Sequence, residues 1–547
     1  MMRFLAAAGL LAGSAVGQAP TFQDLMDPGV FPEPQRDMIV EEAVIEQDML
    51  RIITTGAQFT FDIAQGTAVL EQRIEHPRPL VELHVEGEFE TAPELTHTGP
   101  GLAFARFATP RFDLRANGDS LFMIHAHERL EIAIKRRIDV DWAASYETNH
   151  VLFDELGGFA LYCSDQHLND AFDRFSPTTA VYTLPADAVL WVGACPPKPY
   201  PWERSIADHV VWHWSRQTGY PADEDLNAWA DVGTIVLLQS EMMLWKDWNM
   251  AFDPRLGAAE FARVRETIHG NGMRFIVYTS PAYFFKGTPF EPYAMNTFEG
   301  FTGWPPCRGV GDNIDLFMAE IEKVMTQYKP DGLYFDGQYF ESPAALYALA
   351  RRTRDLLGED GILEWHSTAA LGHGLCFCPH ADAYVDFILR GEGRDGKYED
   401  FDYLRYFVSC YNTSNSIGVL CNNGPRPTSD LIERLLKTNT RLHTIASWLD
   451  DPVLMTMFRT HYRARLNAAL RPTVEAAAAE RQAQVARRAA ELAAEANALT
   501  APPVWRSALL VEAFAKMPEW SAEVSPKNGK PFAIDHGALT VRAKAHT

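Results

Sequence analysis

The chain has 547 residues, 47% of them hydrophobic and 12% aromatic, which is enough apolar material for three or four domains at ~150 residues each and too much for a disordered protein. Its 49 Lys and Arg against 72 Asp and Glu leave a net charge of -23 and a pI near 5.2. That field repels nucleic acid and anionic membrane, so neither is an expected partner and a neutral substrate fits better.

The N-terminus reads MMRFLAAAGLLAGSAVGQAP, with Arg3 early, an apolar stretch from Phe4 to about Val16, and small residues up to Ala19. The pattern predicts a cleaved signal peptide over 1–19 and a secreted or periplasmic protein, because the apolar run is too short to span a bilayer. The seven cysteines form no regular framework, and Cys376 and Cys378 are spaced one residue too closely for a zinc knuckle.

From 38 to 195 short alternating runs such as QFTFDI, LVELHVEG, SLFMIHAH and LEIAIKRRIDV are separated by Gly, Pro, Asn and Asp. Period-two alternation with this punctuation predicts an N-terminal antiparallel β-sandwich. From 206 to 470 the rhythm becomes apolar strands alternating with amphipathic helices. The strands are ADHVVWHW, GTIVLLQSE, MRFIVYTSP, DGLYFDGQ, GILEWHST, AYVDFILRGE, SIGVLCNN and HTIASWL. Eight such units predict an α/β fold, a (β/α)8 TIM barrel, over a doubly wound sheet, since no Gly-rich phosphate turn follows the first strand. An Ala-rich helical linker is expected over 472–500, and 503–547 reads as the beginning of a further β-sandwich domain, cut off at Thr547.

In such a barrel the active site forms at the C-terminal ends of the strands. Asp336 ends strand four, with a glycine next to it that relaxes the backbone, and Ser342 is available to cap the following helix in its place; a carboxylate there can attack an anomeric carbon. Glu392, flanked by Gly391 and Gly393 after strand six, is the expected second carboxylic acid, and Glu241, Glu364 and Asp450 are its rivals. Asp386, earlier on strand six, is expected to pair with Arg390. Expected substrate contacts are Glu241, Trp245, Trp248, Tyr278, His366, Arg390, Asn422 and Trp448, the aromatic rings suiting sugar faces.

The stretch FDPRLGAAEFARVRETIHGNGMRFIVYTSP, followed by PDGLYFDG, resembles the melibiase-like clan of retaining α-glycosidases, which includes α-galactosidases. It also resembles endo-α-N-acetylgalactosaminidases and, more distantly, α-L-fucosidases. The resemblance lies in the Asp-Pro entry, the turn at Ile268, His269, Gly272 and Met273, and the strand ending at Pro281. It implies a β-sandwich before the barrel, a nucleophilic Asp at 336 and an acid/base at Glu392. The galactosidase-like members carry a Lys where Tyr334 stands here and use Asp as the acid/base, so Glu392 suits the galactosaminidase and fucosidase comparisons better.

The resulting expectation is a glycoside hydrolase acting on a carbohydrate, a retaining α-glycosidase with an Asp nucleophile and a Glu acid/base. Its rival is a catalytically inactive secreted carbohydrate-binding protein on a hydrolase-like barrel. A metal-dependent hydrolase is disfavoured: His213, His366 and His373 are available, but no strand end carries a His-x-His pair, so neither metal nor cofactor is expected.

Overall fold

The computed structural model describes residues 20–87, 93–107, 111–146, 149–164, 179–214, 219–239, 245, 252–281, 309–338, 342–367, 377–422, 426–462, 470–500, 532–535 and 538–541. The predicted signal peptide therefore lies outside the described residues.

The N-terminal half is two antiparallel sheets. One has seven strands, in the spatial order Val40–Glu46, Met49–Thr54, Ala57–Asp62, Thr67–Gln72, Arg78–Val85, Leu130–Arg136 and Thr179–Leu184. The other has eight: Trp142–Tyr146, Asn149–Asp154, Gly157–Cys163, Val189–Cys195, Leu121–Ala126, Phe112–Asn117, Leu102–Arg106 and Glu94–Thr98. Their facing sides share one core, in which Phe59 of the first sheet stacks on Phe122 of the second at 4.7 Å. Burial of each such side chain contributes about 1.5–3 kcal/mol.

The burial patterns show what each sheet faces. Ala57–Asp62 alternates buried and half-buried, as expected of a sheet with one wet face, whereas Phe112–Asn117 and Val189–Cys195 are buried on both faces. The second face of the eight-stranded sheet packs against barrel helices. Trp191 meets Tyr347 edge-on, and the Asp119 carboxylate accepts hydrogen bonds from the Tyr347 and Tyr384 hydroxyls at 2.6 and 2.5 Å. Tyr162 and the Ala194 carbonyl hold the two ring nitrogens of His380, each at 3.0 Å.

The second half is a closed parallel barrel. Its strands are β1 (Val210–Trp214), β2 (Ile235–Gln239), β3 (Arg274–Thr279), β4 (Gly332–Phe335), β5 (Ile362–His366), β6 (Phe387–Arg390), β7 (Ile417–Leu420) and β8. Strand β8 is split at His443: Thr440–Leu442 pairs with β7, and Thr444–Ile445 pairs with β1, which closes the ring. It begins three residues earlier than the sequence reading placed it, and Ala446–Asp450, read as its end, is a short 3-10 turn. The helices Asp223–Trp229, Ala258–Gly270, Gly309–Lys323, Pro343–Leu357 and Ser429–Lys437 lie where apolar residues recur at helical spacing. Tyr403–Val408, expected to be helical, forms a π-helical turn.

The chain up to Ala478 forms one compact unit, and residues from Ala479 onward belong to a second. A helix occupies Leu470–Thr500, and Phe532–Asp535 pairs antiparallel with Ala538–Val541.

Candidate active site at the barrel mouth

Parallel register decides which side chains share a layer inside the barrel. Tyr278 lies beside Tyr334, and Tyr334 beside Glu364, so these three form one layer; the two tyrosine rings stack at 5.4 Å. Side chains two residues further along a strand point the same way, so Asp336 and His366 rise one layer above Tyr334 and Glu364, at the mouth. The hexapeptide GILEWH thus sends Glu364 into the interior and His366 to the site.

Asp336 is held from several sides. Its amide donates to the Thr279 carbonyl at 3.2 Å, and Ser280 Oγ donates to the Asp336 carbonyl at 2.7 Å. Gly337 follows at φ 99°, a backbone conformation that a side chain would strain, and lets the chain turn away directly after the carboxylate. Ser342 Oγ accepts the Ala345 amide at 3.2 Å and so caps the next helix, leaving Asp336 without a capping role. Tyr278 Oη donates to Asp336 Oδ2 at 2.8 Å, while Asp336 Oδ1 is buried and faces His366 Nδ1 at 3.4 Å.

Glu392 sits beyond the end of β6. Gly391 turns the chain at φ 98°, and a Cβ there would lie 2.6 Å from Leu420 Cδ1, so the close approach of β6 to β7 requires glycine. Tyr398 Oη donates to the Gly391 and Cys421 carbonyls at 3.0 and 2.7 Å, fixing this turn to the end of β7. Glu392 Oε2 then lies 3.4 Å from His366 Nε2, so one imidazole touches both carboxylates. Burial works to lower the His366 pKa, but contact with Asp336 and the charges of Glu392 and Asp336 outweigh it, and the group titrates above its ordinary value.

Beneath this layer the barrel interior is polar and buried. Glu364 is fully buried, and burial pushes its carboxyl well above the usual range. His443, where β8 breaks, lies with Nε2 3.3 Å from Glu364 Oε1 and stacks on Trp212; burial, with His366 and His209 nearby, holds it well below the usual imidazole range. Burial thus favours the uncharged form of each group, and Glu364 lies in the interior instead of at the mouth.

Several expected substrate contacts occupy other places. Arg390 is fully buried; it binds Asp382 at 2.7 Å and the Phe407 carbonyl at 2.8 Å, with its guanidinium over the Phe377 ring. Its expected partner Asp386 is instead clamped by Arg36, Arg204 and Arg354 at the barrel floor. Trp245 is also buried, its Nε1 donating to the Tyr278 carbonyl at 2.7 Å and its ring stacked on Phe261, so it anchors a loop to β3. Tyr278 is 1% exposed and lies under Asp336 as its hydrogen-bond partner. Trp448 is half-buried on the 3-10 turn, parallel to Phe458, and Asn422 is buried just after β7. Asp450 is exposed on the same turn as Trp448. Glu241 and Trp248 lie outside the described residues.

No protein-family profile matches the chain, and no curated protein matches it. Among solved structures it is similar to the GH36 α-galactosidase AgaA of Geobacillus stearothermophilus, at 10% identity over 79% of this chain and 71% of that one, with a TM-score of 0.39. It is likewise similar to the α-galactosidase TtGalA of Thermus thermophilus, at 12% identity over 77% and 91%, with a TM-score of 0.38. A third is an uncharacterized protein of Listeria monocytogenes, at 11% identity over 80% of this chain and 56% of that one, with a TM-score of 0.41.

Proposed function

We propose that the protein is a glycoside hydrolase, a retaining α-glycosidase in which Asp336 is the nucleophile and Glu392 the acid/base. The observation that carries this reading is the pair of carboxylates above the barrel strands, both touching one imidazole at 3.4 Å. Asp336 has one oxygen fixed by Tyr278 and the other beside the His366 imidazole, so its carboxylate is held in one orientation at the barrel mouth, as a nucleophile requires.

In the first step an Asp336 carboxylate oxygen bonds to the anomeric carbon as the glycosidic bond breaks, while Glu392 gives a proton to the departing oxygen. In the second Glu392 takes a proton from water, whose oxygen displaces Asp336. His366, with its raised pKa, places a positive charge beside both carboxyl groups at 3.4 Å. Tyr278 fixes the rotamer of the nucleophile.

A panel of nitrophenyl α- and β-glycosides, with the anomer of the first-formed product followed by NMR, tests the reading. Release from an α-glycoside with retention is expected. Release with inversion refutes the covalent step, and a chain that binds glycans while cleaving none of them is a binding protein.

A further inference from the structure

The sandwich carries a second cluster of chemically active side chains. Asp113 and His125 are directly opposed partners on the neighbouring strands Phe112–Asn117 and Leu121–Ala126. His127 follows His125 by two residues, its amide continuing the ladder to the Arg111 carbonyl, so it projects from the same sheet face. One carboxylate oxygen and two imidazole nitrogens thereby come within 4.8 Å of one another, the one such group of three among the described residues.

The bonds within the cluster leave it incomplete. His127 Nε2 lies 3.1 Å from Asp113 Oδ2, and Arg106 Nη2, on a side chain 60% exposed, lies 3.4 Å from the same oxygen. Asp113 is 3% exposed, yet its Oδ1 is buried with no hydrogen-bond partner, and His125 Nε2 is likewise buried without one. Leaving such a group unsatisfied is costly, and a simple surface charge pair would leave both costs standing.

We propose that Asp113, His125 and His127 bind a divalent first-row transition-metal ion of the zinc type. Two imidazoles and one carboxylate suit borderline ions of this class better than calcium or magnesium, which take oxygen ligands. A metal at Asp113 Oδ1 and His125 Nε2 satisfies both orphaned atoms at once, and Arg106 on Oδ2 then acts as the outer partner that orients the carboxylate. His127 is exposed at the rim, leaving an open position for water.

The test uses the full chain without an affinity tag, stripped by chelator and titrated with Co2+ by visible absorption and with Zn2+ by calorimetry. One ion per chain is expected, with Zn2+ raising the thermal midpoint. His125→Ala and Asp113→Asn should each weaken binding roughly 100-fold or more, beyond the usual cost of losing an outer-shell partner, while His97→Ala, at another exposed histidine, leaves it unchanged. Should the buried substitutions prevent folding, His127→Ala at the exposed rim gives the same reading. Absence of saturable uptake by the wild type, or equal uptake by the wild type and the His125 and His127 variants, overturns the proposal.

Discussion

Asp386→Asn removes one negative charge from the barrel floor while keeping the side chain's shape. The carboxylate accepts from Arg36 at 2.7 Å, Arg204 at 2.6 Å, Arg354 at 2.8 Å and the Leu363 amide at 2.7 Å. Both Asp386 and Arg354 have side chains 1% exposed, so the pair is fully desolvated. Breaking a buried pair from one side costs about 3–5 kcal/mol, because the partner charge stays buried. Arg354 keeps its bonds to the Tyr384, Gly358 and Gly361 carbonyls, which places the loss toward the lower end, about 3 kcal/mol. At roughly 1 °C per kcal/mol for a unit of this size, the thermal midpoint at pH 7 should drop by about 3 °C. The three arginines hold the Asp386 pKa far below its ordinary 3.8 despite its burial. Its stabilisation is therefore present above pH 3.8 and fades as pH falls below that value toward the native pKa, so the gap between wild type and variant should narrow in acid. Calorimetric scans from pH 3 to 7 measure both effects; an unchanged midpoint at pH 7, or a gap that widens in acid, refutes the reasoning.

Tyr278→Phe removes the hydrogen bond to the Asp336 carboxylate and, at about 1.5–3 kcal/mol for a bond to a charged group, should lower kcat roughly 10- to 100-fold with the fold intact by circular dichroism. His366→Gln should cost roughly 100-fold in kcat/KM; because the His366 pKa is raised, the charge it supplies is complete below pH 6.5 and lost as pH rises through its native value, so the variant's deficit should shrink in alkali, as a pH–rate series would show. Glu364→Gln should match the wild type in thermal midpoint below pH 4.5 and exceed it at pH 8, since a carboxyl raised by burial contributes stability that is lost as pH climbs toward its native pKa.

The eight barrel strands were legible because each is a short apolar run followed by a polar residue at its C-terminal end, and the placement of Asp336 and Glu392 just beyond their strands was legible from the same pattern. The eighth strand was misplaced because it contains Thr440, Arg441 and His443, whose polarity hides a strand that pairs on both sides. Arg390 looked like a substrate contact, since a charged residue signals burial only through its partner, and its partner Asp382 is set by tertiary contact. Asp386 is the same case, its three arginines coming from positions 36, 204 and 354. The role of His366 was within reach, because GILEWH places Glu364 and His366 on one face, but its contact with two carboxylates depends on the register of β4, β5 and β6. Trp245 reads as a sugar platform in sequence and serves as packing, a distinction that only its 0% exposure makes.

Turnover of the best nitrophenyl glycoside by Asp336→Asn, and by Asp336→Ala with added azide, tests the catalytic assignment most directly. Loss of the nucleophile should reduce the rate roughly a thousandfold or more, with azide restoring cleavage of the alanine variant and yielding a glycosyl azide of inverted configuration. A folded Asp336→Asn that cleaves within tenfold of the wild-type rate would contradict it.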